Sequence, residues 1–125
     1  MVTIPAGIVP PFGYFLIANF AETDALSRLA VTPDLVTTTV ELDGKDVQYK
    51  LVDGFGVVHD IADDAMGPPL KGKGFKDFVA MERNDPPGDG TLGTNWHDAT
   101  VQVNFDSPLP NPGVPLGTPK SGNVP

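Results

Sequence analysis

The sequence predicts an all-β domain, and three observations carry that reading. Glycine and proline number 14 each in 125 residues, far above ordinary usage, and such punctuation favours many turns over long helices. The strongly apolar runs are short and bounded by turn residues, as strands are. Between Leu35 and Ile61 three segments carry residues of one face at alternate positions, Val36 to Leu42, Val47 to Leu51 and Val57 to Ile61, the period of a half-buried strand. At 13.2 kDa the chain has the size of one domain, with residues 1–105 forming its β body and residues 106–125 an extended Pro/Gly-rich C-terminal segment.

Residues 12–18, Phe-Gly-Tyr-Phe-Leu-Ile-Ala, are apolar on both faces and follow Pro10-Pro11; this predicts a buried central strand. Ala25, Leu26 and Leu29 then fall at helical spacing behind Thr23 and Asp24, which predicts one short helix or helical turn near residues 22–30. Pro33 stops it. A period-two stretch follows, with Val36, Thr38, Val40 and Leu42 on one face. Asp43-Gly44 is a hairpin turn signal, and Val47, Tyr49 and Leu51 line the return strand. Asp53-Gly54 turns the chain again before Val57, His59 and Ile61, so a three-stranded meander is expected.

Further on, residues 67–74 read as an exposed loop and Phe78-Val-Ala-Met81 as a short strand. Residues 84–90 form a polar loop, and Trp96 with Val101, Val103 and Phe105 marks one more strand or extended packed segment. The prolines at 108, 110, 112 and 119 allow neither helix nor central strand, leaving an extended strap or tail.

Charge narrows the partners. A net charge of −8 and a pI near 4.4 oppose nucleic-acid binding, which depends on Lys and Arg neutralising phosphates. Lys71, Lys73 and Lys76, the one basic cluster, read as a solvated loop or as a patch for an acidic face of a neighbouring copy. Without cysteine, disulfides, thiolate metal sites and cysteine nucleophiles are excluded. No apolar run approaches the length of a membrane span, so no membrane insertion is expected. The first residues lack the charged region and apolar stretch of a signal peptide, so any targeting segment is expected outside this chain.

Several pieces of the sequence resemble the lamin tail domain family in its bacterial and archaeal surface-protein form. Ile4-Pro5 through Gly13-Tyr14-Phe15-Leu16-Ile17 is similar to its proline, glycine and apolar-strand segment. Tyr49-Lys50-Leu51-Val52-Asp53 followed by Gly56-Val57-Val58 and Asp60 resembles its next hairpin. Ala80-Met81-Glu82-Arg83 resembles a motif that closes a strand. Asn95-Trp96 with Ala99, then Gly117-Thr118-Pro119 and Asn123, resemble its closing signature. The resemblance implies an immunoglobulin-like β-sandwich in which these residues are structural. It also implies that the family's first strands are missing here. Three explanations follow: the chain is a fragment, residues 1–9 replace the missing strands, or a strand from a neighbouring molecule fills the slot, donated by residues 106–125 or 1–9, the last two being favoured.

Candidate chemistry is sparse. His59-Asp60 suggests an acid–base pair, but neighbouring strand residues point to opposite faces, and a structural role fits His59 better; His97-Asp98 is a similar pair, in an irregular stretch beside Trp96. Trp96 is expected to anchor a loop to the core. Ser27, Ser107 and Ser121 lack a nucleophile elbow. The acidic loops carry Asp60, Asp63 and Asp64 after one strand, and Asp85 and Asp89 around Pro86-Pro87-Gly88. Oxygen-rich, glycine-containing loops suit calcium, whereas Asp is equally a turn former; both readings stay open.

The expected function is therefore a non-catalytic structural or interaction module, extracellular or at the cell surface, needing no cofactor. It would form a homo-oligomer or filament through strand or edge pairing, or meet a surface partner. The alternative is an accessory ligand- or carbohydrate-binding domain of a larger surface enzyme, using Tyr14, Tyr49 or Trp96. A solvent-facing Trp96 would favour that alternative.

Overall fold

The structure is a computed structural model that describes residues 2–4, 9–40, 44–74, 78–106 and 115–124. It is a β protein of short strands paired two by two. β1 (Ile17–Ala18) runs parallel to β2 (Leu35–Val36), with Ile17 opposite Leu35 and Ala18 opposite Val36. β3 (Tyr49–Val52) and β4 (Val58–Ala62) form an antiparallel hairpin. β5 (Met81–Arg83) pairs antiparallel with β6 (Trp96–Asp98), placing Glu82 opposite His97 and Arg83 opposite Trp96. A one-turn 3-10 helix, Gly93–Asn95, leads into β6.

Three sequence expectations need correction. The apolar run at 12–18 is not one central strand. Pro10 to Gly13 close a turn through the Gly13 N–H and the Pro10 carbonyl, Phe12 adopts a left-handed φ of 57°, and its ring is wholly exposed. Only Ile17 and Ala18 pair, because the Pro-Pro-Phe-Gly turn uses the start of the run.

Of the short helix or helical turn expected near residues 22–30, no helix forms but two successive hydrogen-bonded turns do, Asp24 N–H to the Ala21 carbonyl and Ser27 N–H to the Asp24 carbonyl. The Asp24 carboxylate also accepts from Leu26 N–H. These turns lie in the crossover that a parallel pair requires.

The meander also loses its first strand. β2 turns back to β1 rather than to β3. Asp43 lies outside the described residues, and beyond Gly44 the chain is held elsewhere: Asp46 donates its N–H to the Gly67 carbonyl and accepts from Gly67 N–H on its carboxylate. The hairpin turned at Asp53-Gly54 forms as the alternation predicts. Val52 opposes Val58 and Leu51 opposes Asp60, with a register shift between them.

The later segments converge on the C-terminal residues. Val79 bridges both Lys73 and Leu116, and Gly117 bridges Gln102. Leu116 and Gly117 thus run between residues 78–80 and 101–103, exchanging backbone hydrogen bonds with both sides. Leu29 meets Phe105, and Lys120 reaches Asp34 and the Thr32 carbonyl, each at 2.9 Å. Trp96, Ala99, Glu82 and Thr118 are buried around this junction, while Ser27, Pro33 and Asp63 are buried elsewhere among the described residues.

Candidate functional site

The best-organised polar cluster forms around β5. Arg83 sends Nη1 to both oxygens of Asp60, at 2.9 and 3.1 Å, and Nη2 to Asp60 Oδ1 at 3.1 Å and the Gly88 carbonyl at 2.7 Å. Its guanidinium lies 4.8 Å from the centroid of the Trp96 ring, a cation–π distance. Trp96 is 9% exposed and donates Nε1–H to the Gly90 carbonyl at 2.9 Å. One arginine thereby ties the β4 edge, the 84–95 loop and the tryptophan together, as a planar bidentate donor can. Between β4 and residues 88–90 it leaves a cleft of about 350 Å³ lined by His59, Asp60, Arg83 and Asp89.

On the opposite face of β5, Glu82 is buried. Its Oε1 accepts from the Thr118 hydroxyl at 2.6 Å; Oε2 makes no hydrogen bond and faces His97 Nε2 at 3.5 Å. His97 also meets Asn84 Oδ1 through Nδ1 and the Val124 carbonyl through Nε2. Asn123 donates to the Arg83 carbonyl. Met81-Glu82-Arg83, Trp96, Ala99, Thr118 and Asn123, scattered along the chain, thus meet in one structural knot.

The acid–base pairs suggested by the sequence do not form. His59 bonds to Asp53, 2.9 Å away, while Asp60 faces Arg83; His97 turns to Asn84 and Glu82 rather than to Asp98. Asp98 instead accepts from Gly72 N–H and lies 3.8 Å from Lys73, so the 67–74 loop is pinned at this point. Lys76 and Ser107 lie outside the described residues.

Four of the five acidic-loop residues hold a side-chain hydrogen bond or ion pair within the chain. Asp60 holds Arg83. Asp63 is buried and accepts from Asp64 N–H and, at 3.4 Å, Leu70 N–H. Asp64 accepts from Met66 N–H. Asp85 precedes a cis peptide bond to Pro86. Asp89 accepts from the N–H and hydroxyl of Thr91; these bonds, with Arg83 nearby, hold its carboxyl below the usual value despite partial desolvation. Among the described residues, no three His, Asp or Glu side chains gather closely enough to hold a metal ion.

A second kind of surface was not singled out by the sequence reading. The distal half of the β3–β4 hairpin exposes Leu51, Val52, Val57 and Val58 at about half of their surface, and Phe55 at its tip is 95% exposed. The signal was present in the doublets Leu51-Val52 and Val57-Val58 on either side of Asp53-Gly-Phe-Gly56. Adjacent strand residues face opposite ways, so such doublets cannot both rest on one core. At the base of the hairpin lies a groove of about 550 Å³, lined by Val47, Tyr49, Pro68, Pro69, Val79 and Met81, with Lys71 and Lys73 also at its wall.

No protein-family model matches the chain, and no curated protein or solved structure matches it.

Proposed function

We propose that this chain is a non-catalytic structural module, acting at the cell surface, that assembles with copies of itself through exposed strand edges. In this reading the short strand pairs are parts of an immunoglobulin-like sandwich of lamin-tail type, completed by a neighbouring molecule. The carrying observation is the imbalance between core and surface. Among the described residues Trp96 and Ala99, with Pro33, are the buried apolar side chains, while fifteen large hydrophobic residues are exposed.

β3 and β4 form a two-stranded ribbon, and the outer side of a strand is where another chain's strand can add. The alternative, an accessory ligand-binding domain, has weaker support, since Trp96 lies in the interior.

Light scattering over a concentration series tests the proposal. A discrete assembly or a growing filament is expected. A particle of 13.2 kDa at every concentration would overturn it.

A further inference from the structure

We propose that Glu82, His97 and the Val124 carbonyl form a site for a divalent transition-metal ion of the zinc type, which staples the C-terminal segment to the β5–β6 pair. The site stands apart from the assembly reading and does not depend on it.

Glu82 is 5% exposed, and its two oxygens are served unequally. Oε1 accepts from the Thr118 hydroxyl at 2.6 Å. Oε2 receives no hydrogen bond and lies 3.5 Å from His97 Nε2. The amide of Asn84 sets the state of that ring. Asn84 Nδ2 donates to the Thr94 carbonyl at 2.9 Å, so Oδ1 is the atom 2.8 Å from His97 Nδ1, and it can only accept. Nδ1 therefore carries the hydrogen of the neutral imidazole, and Nε2 presents a lone pair. The Val124 carbonyl oxygen lies 3.2 Å from the same nitrogen. A carboxylate oxygen, an imidazole nitrogen and a carbonyl oxygen thus face one another with no hydrogen between them.

One proton does not resolve this. On Nε2 it has two acceptors to serve, and a charge-assisted bond to a carboxylate is about 2.7–2.9 Å long, well short of the 3.5 Å found. The buried Oε2 would stay unpaired, which is costly. Zinc instead binds His nitrogen and Glu oxygen at about 2.0–2.2 Å, and tetrahedral ligands at that radius stand about 3.3–3.6 Å apart. The separations of 3.5 and 3.2 Å are of that size.

The surroundings agree. A nitrogen donor among oxygens suits zinc-like ions rather than calcium or magnesium, which take oxygen. Asn84 holds the second ring nitrogen as the outer partner of a ligating histidine does. The His97 side chain is 18% exposed, which lets an ion enter and water supply a fourth ligand. Two donors come from paired strands and one from residue 124, so the ion would join the tail to the body. A net charge of −8 draws cations to the chain.

The test uses the full chain at neutral pH, where only two histidines and no cysteine compete for the metal. Zinc alone, followed by calorimetry, should bind as one ion per chain. His97→Gln and Glu82→Gln should each weaken it by at least about a hundredfold, beyond the cost of losing an outer partner. Circular dichroism checks that both variants fold. His59→Gln should bind zinc as the wild type does, and its single remaining histidine makes the ring nitrogen resonances unambiguous. Zinc should move the His97 Nε2 resonance while Nδ1 keeps its hydrogen. This measurement leaves the site residues intact, so it decides the matter even if Glu82→Gln fails to fold. Absence of zinc uptake by the folded wild type would overturn the site. So would uptake that His59→Gln abolishes and His97→Gln preserves, which would mark adventitious binding at His59 and Asp53.

Discussion

The hydroxyl of Thr118 donates to the carboxylate of Glu82 at 2.6 Å, across 36 residues of sequence and with both side chains buried. This bond joins β5 to the C-terminal segment, and Asn123 reinforces it by donating to the Arg83 carbonyl. A buried carboxylate that loses a donor is costly, because its desolvation is no longer offset. Thr118→Val keeps the shape and removes the donor. It should lower the unfolding free energy by about 1–3 kcal/mol, read from urea denaturation with an unchanged slope. Thr118→Ser should retain most of that stability. A Thr118→Val protein as stable as wild type would show that the bond does not hold the tail.

What could be read in the sequence follows from the range of the forces involved. The hairpin at Asp53-Gly54 is local: alternation and turn chemistry lie within a dozen residues, and it forms as read. Trp96 was readable as an anchor because a lone large aromatic in a polar stretch seldom stands free. The Phe12–Ala18 run misled, since its apolarity gave no sign that Pro10 to Gly13 would turn. Pairing of β2 with β1 was hidden because Asp34 decides it from a distance, with Oδ2 accepting Leu16 N–H at 2.7 Å and Oδ1 held by Lys120. Arg83 could be placed in a motif, but its hold on Asp60 spans 23 residues and no spacing rule reports it.

Gly90 offers a sharp test of the knot around Trp96. A Cβ built there would collide with the Ile61 carbonyl and press on the Arg83 guanidinium. Gly90→Ala must therefore move backbone, at a cost of about 1–3 kcal/mol or more. Because the Gly90 carbonyl accepts from the indole, the fluorescence of the only tryptophan should shift as well. Gly54→Ala meets open space and should change stability by less than about 0.5 kcal/mol. Equal melting temperatures for the two variants would contradict the close approach at residue 90.

Acid should loosen the link between β1, β2 and the C-terminal segment. The Leu16 N–H, followed by Lys120, holds the Asp34 carboxyl below its ordinary 3.8; His59 and the Val57 N–H do the same for Asp53. A carboxyl depressed in the folded state leaves the unfolded state binding more protons, so stability rises with pH through this range. The contribution is complete above 3.8 and lost as pH falls below it toward the depressed folded values. Asp34→Asn should flatten the dependence of unfolding free energy on pH in that window, and an unaltered profile would remove Asp34 from the account.

Calcium provides the last test, since the five loop aspartates were candidates for it. Asp60 is engaged by Arg83 through both oxygens, and Asp63, Asp64 and Asp89 accept from backbone N–H groups. A calcium ion would have to displace these bonds before gaining its six to eight oxygens. At about 10 mM calcium, a site with a dissociation constant near 1 mM would stabilise the fold by about 1.4 kcal/mol. That corresponds to a rise in melting temperature on the order of 5 °C. The expected result is a shift below about 1 °C, measured with calcium and then with chelator. A rise of the larger size, abolished by Asp63→Asn, would mean that these carboxylates exchange their turn bonds for a metal.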